Sequence, residues 1–345
     1  GAVVDCSTPA TRFAYVADAA GSKVNVFAID ATTGKLNPIA GSPFATPHDA
    51  SAVVIHPSGN FAFVTAGFSN QLTVQRIDRT TGAFTGSTAY ATGSYPSSIA
   101  VTPNGKYVVV GNQTGNSVQV FPVTDTVTGA LGPSVSTAVP GPILAVPIDP
   151  SGNFLYFVPS ARNVIEAFSI DDSTGALAAV PGSPFAAPGV GSRGAAFSPD
   201  GRFLYANGAY VSAGVRAFAI DASSGALSAI AGSRFVAPPG SDMIAFDGSG
   251  RFVYVSENSG NLVAAYALNS ATGALSPLPA SPFNVGSGLA GALAADPTGR
   301  FLFTGSTGAW TMTTQTIDPV TGALATASTT LVSSGGGRSS IALSY

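Results

Sequence analysis

Short apolar runs alternate with polar turn residues along the whole chain, and one stretch shows the pattern in full. Residues 51 to 55 are nearly all apolar, as expected of a strand that is buried on both faces. The turn that follows has a proline, which fixes φ, and a glycine, which supplies the positive φ of a tight reversal. Three more β-forming runs complete the stretch. The pattern predicts four strands, at Ser51–Ile55, Phe61–Thr65, Gln71–Asp78 and Phe84–Ala91.

The four-strand unit recurs seven times. Each copy contains a Thr/Ser-Gly-Ala/Lys-Leu/Phe step, and consecutive glycines of this step are 46 to 50 residues apart. A period of about 40–50 residues with several short strands in each unit is typical of a β-propeller. The repeat therefore predicts an all-β fold, a seven-bladed β-propeller with four antiparallel strands per blade. The seven glycines are Gly34, Gly82, Gly129, Gly175, Gly225, Gly273 and Gly322.

Two further markers keep the same register. An aromatic side chain opens the second strand of every unit, and a Ser-Pro-Phe or Ser-Arg-Phe step falls in the predicted outer strand of four units. The aromatic positions are Phe13, Phe61, Tyr107, Phe154, Phe203, Phe252 and Phe301. The outer-strand positions are Phe44, Phe185, Phe235 and Phe283.

The two ends of the chain are predicted to meet in one blade. The first strand, Phe13 to Ala17, corresponds to the second strand of a unit, whereas residues 339–343 closely match the inner strand at 97–101. A ring closed by this pairing leaves no inner edge strand exposed. We therefore expect one propeller domain over residues 1–345, with an N-terminal tail at 1–11 and a closing inner strand at 339–345.

The composition is poor in charge. Only 9% of the residues are charged and 45% are hydrophobic, whereas about a quarter of a typical globular sequence is charged. Alanine, serine, threonine and glycine take the place of the charged residues. Such a surface favours a secreted, periplasmic or cell-envelope protein over the alternative of a cytoplasmic one.

Charge and hydropathy also narrow the partners. The net charge is −3, and the three lysines (Lys23, Lys35 and Lys106) are scattered, so the clustered basic face that nucleic acid requires is not expected. No run of about 20 apolar residues is present to span a membrane. The single cysteine, Cys6, is expected to be a free thiol in the tail, with lipid attachment as the alternative. The sequence predicts a monomer without a cofactor.

Candidate site residues lie where loops enter the inner strands and where loops join the second and third strands, because these loops form one face of a propeller. The candidates on this face are Asp18, His48, Asp49, Tyr95, Asn112, Arg162, Arg193, Asn207, Asp242, Glu257, Asn258, Trp310 and Arg338. The opposite face carries arginines in turns (Arg12, Arg202, Arg251 and Arg300) and His56, which we expect to be solvated turn residues. Glu166 and Arg216 occupy the same strand position in neighbouring blades, and we expect a cross-blade ion pair.

Each candidate has a plain alternative. His48 is the one histidine on this face and suits a general base, or it caps loop backbone. The arginines suit an anionic group or an oxyanion, or they are surface residues. Asp18, Asp49, Asp242 and Glu257 offer oxygen ligands to a hard cation, but they are spread over separate blades and we predict no metal site. Trp310 and Tyr95 suit stacking on a sugar, or they plug the channel mouth.

The repeats resemble the lactonase-type seven-bladed propeller family. The resemblance lies in Gly201-Arg-Phe-Leu-Tyr205, in Gly250-Arg-Phe-Val-Tyr-Val255 and in Val26-Phe-Ala-Ile-Asp30 with the step that ends at Leu36. The run Phe61-Ala-Phe-Val-Thr65 is similar to the related YVTN repeat of surface-layer proteins. Enzymes of this family include 6-phosphogluconolactonase, which hydrolyses a sugar lactone. The resemblance implies that His48 activates water, Arg193 holds a phosphate or the oxyanion, and Glu257 orients His48 or the sugar.

Two hypotheses about function follow. The first is a lactonase-like hydrolase that opens a sugar lactone, with His48, Arg193 and Glu257 as catalytic residues. The second is a non-catalytic secreted or envelope propeller that binds a glycan or a protein. In both, the expected ligand-binding residues are Asp49, Tyr95, Asn112, Arg162, Asn207, Asp242, Asn258, Trp310 and Arg338.

Overall fold

The computed structural model describes residues 13–159, 162–208, 214–237, 240–257, 260–286, 290–306, 309–332 and 339–344. These residues form strands and turns without a helix, in seven antiparallel sheets of four or five strands. None of them belongs to a helix long and apolar enough to cross a membrane. The predicted tail at 1–11, with Cys6 in it, and Arg12 lie outside the described residues.

Each sheet is one blade of the propeller, with an inner, a second, a third and an outer strand. The first blade contains β1 (Phe13–Asp18), β2 (Lys23–Ile29), β3 (Leu36–Pro38) and β4 (Phe44–Ala45). The second contains β5 (Ala50–Ile55), β6 (Phe61–Ala66), β7 (Gln71–Ile77) and β8 (Phe84–Ala91). The third contains β9 (Pro96–Val101), β10 (Tyr107–Asn112), β11 (Ser117–Pro122) and β12 (Val135–Ala138).

The remaining blades follow in chain order. The fourth contains β13 (Ile143–Ala145), β14 (Phe154–Pro159), β15 (Val164–Ile170), β16 (Leu177–Ala179) and β17 (Phe185–Ala186). The fifth contains β18 (Val190–Phe197), β19 (Phe203–Gly208), β20 (Val215–Ile220) and β21 (Leu227–Ala229). The sixth contains β22 (Ser241–Phe246), β23 (Phe252–Glu257), β24 (Leu262–Leu268), β25 (Leu275–Pro277) and β26 (Phe283–Asn284). The seventh contains β27 (Ala290–Ala295), β28 (Phe301–Ser306), β29 (Thr311–Ile317) and β30 (Leu324–Leu331).

The last strand, β31 (Ser339–Ser344), closes the ring. It pairs antiparallel with β1 over six residues and so supplies the inner strand of the first blade. Inner strands of neighbouring blades contact each other all the way round, including β31 with β5 and with β27. The predicted fold class and its closure are confirmed.

The hydrophobic core is divided among the seven blade interfaces. Each buried cluster combines side chains of two neighbouring blades, as Tyr15 and Val26 of the first blade do with Val53 and Val64 of the second. The second strands are the most deeply buried, because they are covered by a blade on either side. The inner strands therefore form the wall between this core and the ring axis.

The outer strand differs from the prediction in four blades. Ser-Pro-Phe does not continue a strand: the Ser-Pro peptide bonds are cis, and the outer strand divides into two short pieces. The serine hydroxyl takes over part of the missing ladder, since Ser42 Oγ accepts a hydrogen bond from Val26 N at 2.9 Å. Ser183 and Ser281 accept the equivalent bonds from Ala167 and Ala265. In the fifth blade, the Ser-Arg-Phe step leaves Phe235 as a single bridge to Val215.

Two predictions about polar side chains are wrong. His56 is 4% exposed rather than solvated, because its ring stacks on Phe61 at 4.3 Å and bonds the Gly105 carbonyl of the next blade. Glu166 and Arg216 form no ion pair. Instead, Arg216 Nε donates to the Pro188 carbonyl at 3.0 Å.

Candidate functional site at the channel mouth

The inner strands enclose a cavity on the ring axis of about 210 Å³. All seven blades contribute to its wall, through serine, alanine, glycine, proline, methionine and aliphatic side chains. No charged side chain is among the described residues that line it. The serines lie at one end, where Ser51, Ser97 and Ser340 are each the second residue of an inner strand. The cavity therefore has an uncharged wall and a hydroxyl-bearing rim.

The inner strands are irregular at this rim. In six of the seven blades, the register between the inner and second strands shifts near the start of the inner strand. The seventh inner strand, β31, pairs with β1 without a shift. A bulge bends a strand and redirects a side chain, and bulges are frequent beside active sites. The sequence pattern did not reveal these bulges, because an extra residue leaves the apolar run intact.

Two of the predicted site residues have a left-handed backbone at the rim. Asp49 (φ 68°) and Tyr95 (φ 54°) directly precede β5 and β9. Gly189 and Gly240 have the same position and sign of φ before β18 and β22. A residue with a side chain pays about 1–3 kcal/mol in such a region, and this strain is concentrated at functional sites. This position before the inner strand therefore favours glycine, yet the second blade has an aspartate there and the third blade has a tyrosine.

His48, Asp49 and Tyr95 are brought together around the loop after β6. The ring of Phe68 contacts the His48 ring edge-on at 5.4 Å and the Tyr95 ring at 5.3 Å. A Cβ atom at Gly67 would collide with the Asp49 carboxylate and lie 3.0 Å from the Tyr95 ring. We call His48, Asp49, Phe68 and Tyr95 the mouth cluster. Asp49 is buried, whereas His48 and Phe68 are exposed.

The mouth cluster adjoins the cavity wall through Ser51. A Cβ at Gly67 would lie 3.2 Å from Ser51 Oγ, which in turn donates to the Pro96 carbonyl at 3.0 Å. Beside it, Ser97 and Ser98 are 6% and 8% exposed, and neither hydroxyl has a protein hydrogen-bond partner. Asn112 lies at the end of β10, where its Nδ2 donates to Ser117 while its buried Oδ1 has no protein partner. The rim of the second and third blades thus presents polar atoms that a ligand could satisfy.

Asp18 approaches the same region from the first blade. It ends β1 and is 4% exposed, and burial raises the pKa of its carboxyl despite the opposing effects of the Gly21 amide and Lys23. The loop after it reaches the mouth cluster, since Ser22 Oγ accepts a hydrogen bond from Asp49 N at 3.2 Å. The result is a carboxyl that holds its proton to a higher pH than a solvated one.

Other predicted residues lie across the ring from the mouth cluster. In the fifth and sixth blades, Asn207 and the Asp242 backbone both pack on Gly194, where a Cβ would lie 2.5 Å from Asn207 Nδ2. Glu257 is buried at the end of β23, beside Gly260. His48 and Glu257 thus belong to blades that are three positions apart round the ring.

The remaining predicted residues have no contact with this cluster or fall outside the description. Arg162 is exposed and donates to the Pro140 carbonyl. Trp310 is 44% exposed and holds a left-handed backbone (φ 52°) before β29. The Arg193 side chain is not described, although its backbone belongs to β18, and Asn258 and Arg338 lie outside the described residues.

The described residues include no group of three or more His, Cys, Asp or Glu side chains placed to hold a metal ion. The sequence reasoning missed Phe68, Ser97 and Ser98. In the sequence, Phe68 is an ordinary hydrophobic residue of a loop, and only its position between His48 and Tyr95 in the structure assigns it to the site. The serines carried a signal, because Ser97-Ser recurs as Ser339-Ser at another inner strand.

Comparison with known proteins identifies the family. The sequence matches the profile of "Lactonase, 7-bladed beta-propeller" over residues 6–147 and 144–338. The chain belongs to this lactonase family. The match spans nearly the whole chain, and the predicted family resemblance is confirmed.

Similarity to curated members of the family is partial. A 6-phosphogluconolactonase from Yersinia pestis is 32% identical over 106 residues, which cover 30% of this chain and 29% of that protein. A relative from Yersinia pseudotuberculosis matches to the same extent. The aligned segment thus spans less than a third of the length of these relatives.

Solved structures share the fold over almost the full length. A protein from Bacteroides fragilis superposes with a TM-score of 0.82 at 20% identity, covering 99% of this chain and 100% of its own. The periplasmic gluconolactonase of Pseudomonas aeruginosa gives 0.79 at 20% identity, covering 95% and 98%. At this identity, the likeness establishes the propeller fold of this lactonase-family chain.

Proposed function

We propose that the protein hydrolyses a sugar lactone at the channel mouth. The observation that carries the proposal is the mouth cluster itself, in which a histidine, a buried carboxylate and two aromatic rings meet beside an uncharged cavity. A sugar ring has apolar faces and hydroxyl edges, so it suits aromatic and serine groups together. Membership of the lactonase family supports the same reaction class.

In the proposed reaction, a water molecule attacks the lactone carbonyl while His48 accepts its proton. The exposed imidazole is the strongest candidate base at the mouth, because histidine is the side chain most often used for this task. The carbonyl oxygen gains negative charge, the acyl–oxygen bond of the ring then breaks, and the ring oxygen leaves with a proton. One lactone and one water give one hydroxy acid.

Phe68 and Tyr95 would hold the sugar ring beside His48, and the buried hydroxyls of Ser97 and Ser98 would bind its hydroxyls or the oxyanion. Both hydroxyls are buried without a protein partner, which is costly unless a ligand or water bonds to them. Asp18, with its raised pKa, is the proposed source of a proton for the leaving ring oxygen. This adds Asp18, Ser97 and Ser98 to the catalytic and binding residues expected from the sequence.

The other sequence-based assignments stay predictions. Arg193 would hold a phosphate or the oxyanion, and Glu257, which lies three blades away from His48, would orient the sugar. Asn112, Arg162, Asn207, Asp242, Asn258, Trp310 and Arg338 would line the wider entrance. The uncharged cavity wall supports a substrate whose sugar ring is neutral where it enters the channel.

The proposal is tested by following proton release on a panel of lactones: phosphorylated sugar lactones, unphosphorylated sugar lactones and acyl lactones, each with and without a chelator. The His48→Ala variant should lose about 10²–10⁴-fold in kcat, the usual contribution of a general base. Arg79→Gln is the matched control, because Arg79 is an exposed turn residue remote from the mouth. A flat trace for every lactone, or full activity in His48→Ala, would overturn the proposal.

A second function is favoured by one observation, the exposed aromatic rings of the same face. Phe68 is 68% and Trp310 is 44% exposed, and such rings stack on sugars in binding proteins. If the panel shows no turnover but a glycan binds with loss in Phe68→Ala, the protein is a glycan-binding propeller. A periplasmic, secreted or envelope location is proposed for either function, on the low charge content of the chain, and the monomeric state stays a prediction.

A further inference from the structure

A second cavity lies at the outer edge of the propeller, remote from the central channel. This outer groove has a volume of about 440 Å³ and opens between the second and third blades. Its walls come from β7 (Val74, Arg76), from the turn at 128–130 of the third blade, and from β8 (Gly86, Ser87, Thr88 and Tyr90). The volume lies within the range of small-molecule sites.

The groove lies beside a tyrosine, Tyr90, which the second blade has where four other blades have a phenylalanine. The phenylalanine of the Ser-Pro-Phe or Ser-Arg-Phe step packs into the core shared with the next blade, as Phe44 does against Phe84 at 5.3 Å. Phe185, Phe235 and Phe283 pack in the same way. The second blade has an unbroken outer strand, β8, in which Tyr90 pairs with Leu72 as Phe44 pairs with Val24, and Tyr90 packs on the core shared with the third blade.

A cation, Arg76, lines this groove together with Tyr90. Arg76 is the next-to-last residue of β7, where the equivalent strands carry uncharged residues. Its guanidinium lies across Gly86, where an added Cβ would be 2.8 Å from Nη2, so a side chain at this position would displace the guanidinium. The register of β7 and β8 shifts at this point. Sequence and backbone therefore both accommodate the arginine in the groove.

No carboxylate of the described residues pairs with the guanidinium of Arg76. Lys106 pairs with Asp172 and Arg202 with Asp200, and Arg76 takes part in neither ion pair. Asp125, in the turn of the third blade that borders the groove, is engaged by Thr128 Oγ1 at 2.7 Å and by two amides of its own turn. Arg76 therefore offers its planar fork of donors to an external oxyanion.

Hydroxyl-bearing residues line the same groove as the cation. Ser87 and Thr88 line the groove, and Tyr90 adds a ring whose hydroxyl accepts a hydrogen bond from Leu131 N at 3.0 Å. A guanidinium bordered by hydroxyls and an aromatic wall matches a ligand with one carboxylate and several hydroxyl groups. We propose that the outer groove binds an acidic saccharide of the uronate class, with the Arg76 guanidinium bound to its carboxylate. The site is independent of the channel mouth and of any activity there.

The test is calorimetric titration of the whole chain with sodium glucuronate, methyl glucoside and sodium acetate. Glucuronate should bind more tightly than either partial analogue, and Arg76→Gln should weaken it by about tenfold or more, since charge-assisted bonds exceed about 1.4 kcal/mol. Arg79→Gln is the matched control, because Arg79 is exposed three residues away and outside the groove.

A second variant keeps Arg76 and fills the groove instead. Thr88→Phe should abolish glucuronate binding while leaving the unfolding temperature and lactone turnover unchanged, because Thr88 is exposed on the outer strand. Equal binding of methyl glucoside would overturn the anionic assignment, and equal binding of acetate would overturn the saccharide assignment. Glucuronate binding that persists in both Arg76→Gln and Thr88→Phe would overturn the site.

Discussion

Tyr205 donates a hydrogen bond from its phenol to the carbonyl of Gly273, at 2.7 Å, across the interface between the fifth and sixth blades. Both residues are visible in the sequence: the glycine recurs in all seven units, and a tyrosine lies two residues after the aromatic that opens the second strand in four of them. Tyr15, Tyr156 and Tyr254 make the same bond to Gly82, Gly225 and Gly322. The phenol and the carbonyl, which are 68 residues apart in the sequence, thus form one contact between neighbouring blades.

Tyr205→Phe should lower the free energy of unfolding by about 1–2 kcal/mol, because it leaves a buried carbonyl without its partner. Burial keeps this phenol protonated by raising its pKa, so the loss should not change over ordinary pH. Chemical denaturation measures the effect. Tyr107→Phe is the comparison, since its bond to the Asp172 carbonyl is longer, at 3.3 Å, and only partly buried. Equal losses in the two variants would argue against the interface bond.

Gly273→Ala should be strongly destabilising. Its φ is +75°, and an added Cβ would lie 2.7 Å from Phe203 Cδ1 and 2.5 Å from Ile230 Cδ1. Gly232→Ala provides a matched control, because its φ is +73° with nothing within 4 Å of the added Cβ. The control should lose about 1 kcal/mol from backbone strain alone, and Gly273→Ala should lose more by the cost of the clash. Equal denaturation midpoints for the two variants would show that Gly273 is needed only for its positive φ and not to avoid the clash.

The turn aspartates should make the fold sensitive to acid. Hydrogen bonds from the side chains and amides of Ser173 and Thr174 lower the pKa of Asp171 to about 2, and the equivalent bonds do the same for Asp221. A lowered folded pKa contributes stability above the unfolded value, about 3.9, which is lost as the pH falls through 2. In the sixth blade, Asn269 accepts the same amide bonds without a charge. Asp171→Asn with Asp221→Asn should therefore flatten the decline in unfolding temperature below pH 4, and an unchanged decline would contradict the assignment.

His56 should titrate below the ordinary histidine value of about 6.5, because burial lowers its pKa more than the bond to Gly105 raises it. Ser58 N donates to Nδ1 at 3.1 Å, which places the proton of the neutral ring on Nε2. A lowered histidine pKa contributes stability above the unfolded value, which is lost as the pH falls below it. Imidazole resonances in an NMR titration measure both the tautomer and the midpoint. A midpoint at or above that of a free histidine would contradict the buried, neutral ring.

Much of the fold was predictable because its determinants are local. The four strands of the second blade were predicted within one residue at each end, since turn residues and apolar runs mark them directly. The divided outer strands were not, because Ser42 replaces a ladder bond through its side chain and leaves no mark in the apolar pattern. The prediction for His56 is wrong for a related reason: its turn position suggests solvent, but Phe61 and the Gly105 turn of the next blade cover the ring.

The sequence by itself determined the propeller, the number of its blades and its closure by the last strand, because each of these follows from a local pattern repeated in register. Only the tertiary structure decided which loops meet. It placed Phe68 between His48 and Tyr95, left the Ser97 and Ser98 hydroxyls without partners, and set Arg76 in an unfilled groove. These relationships join different blades or strands, and they depend on bulges and packing that a one-dimensional pattern does not encode.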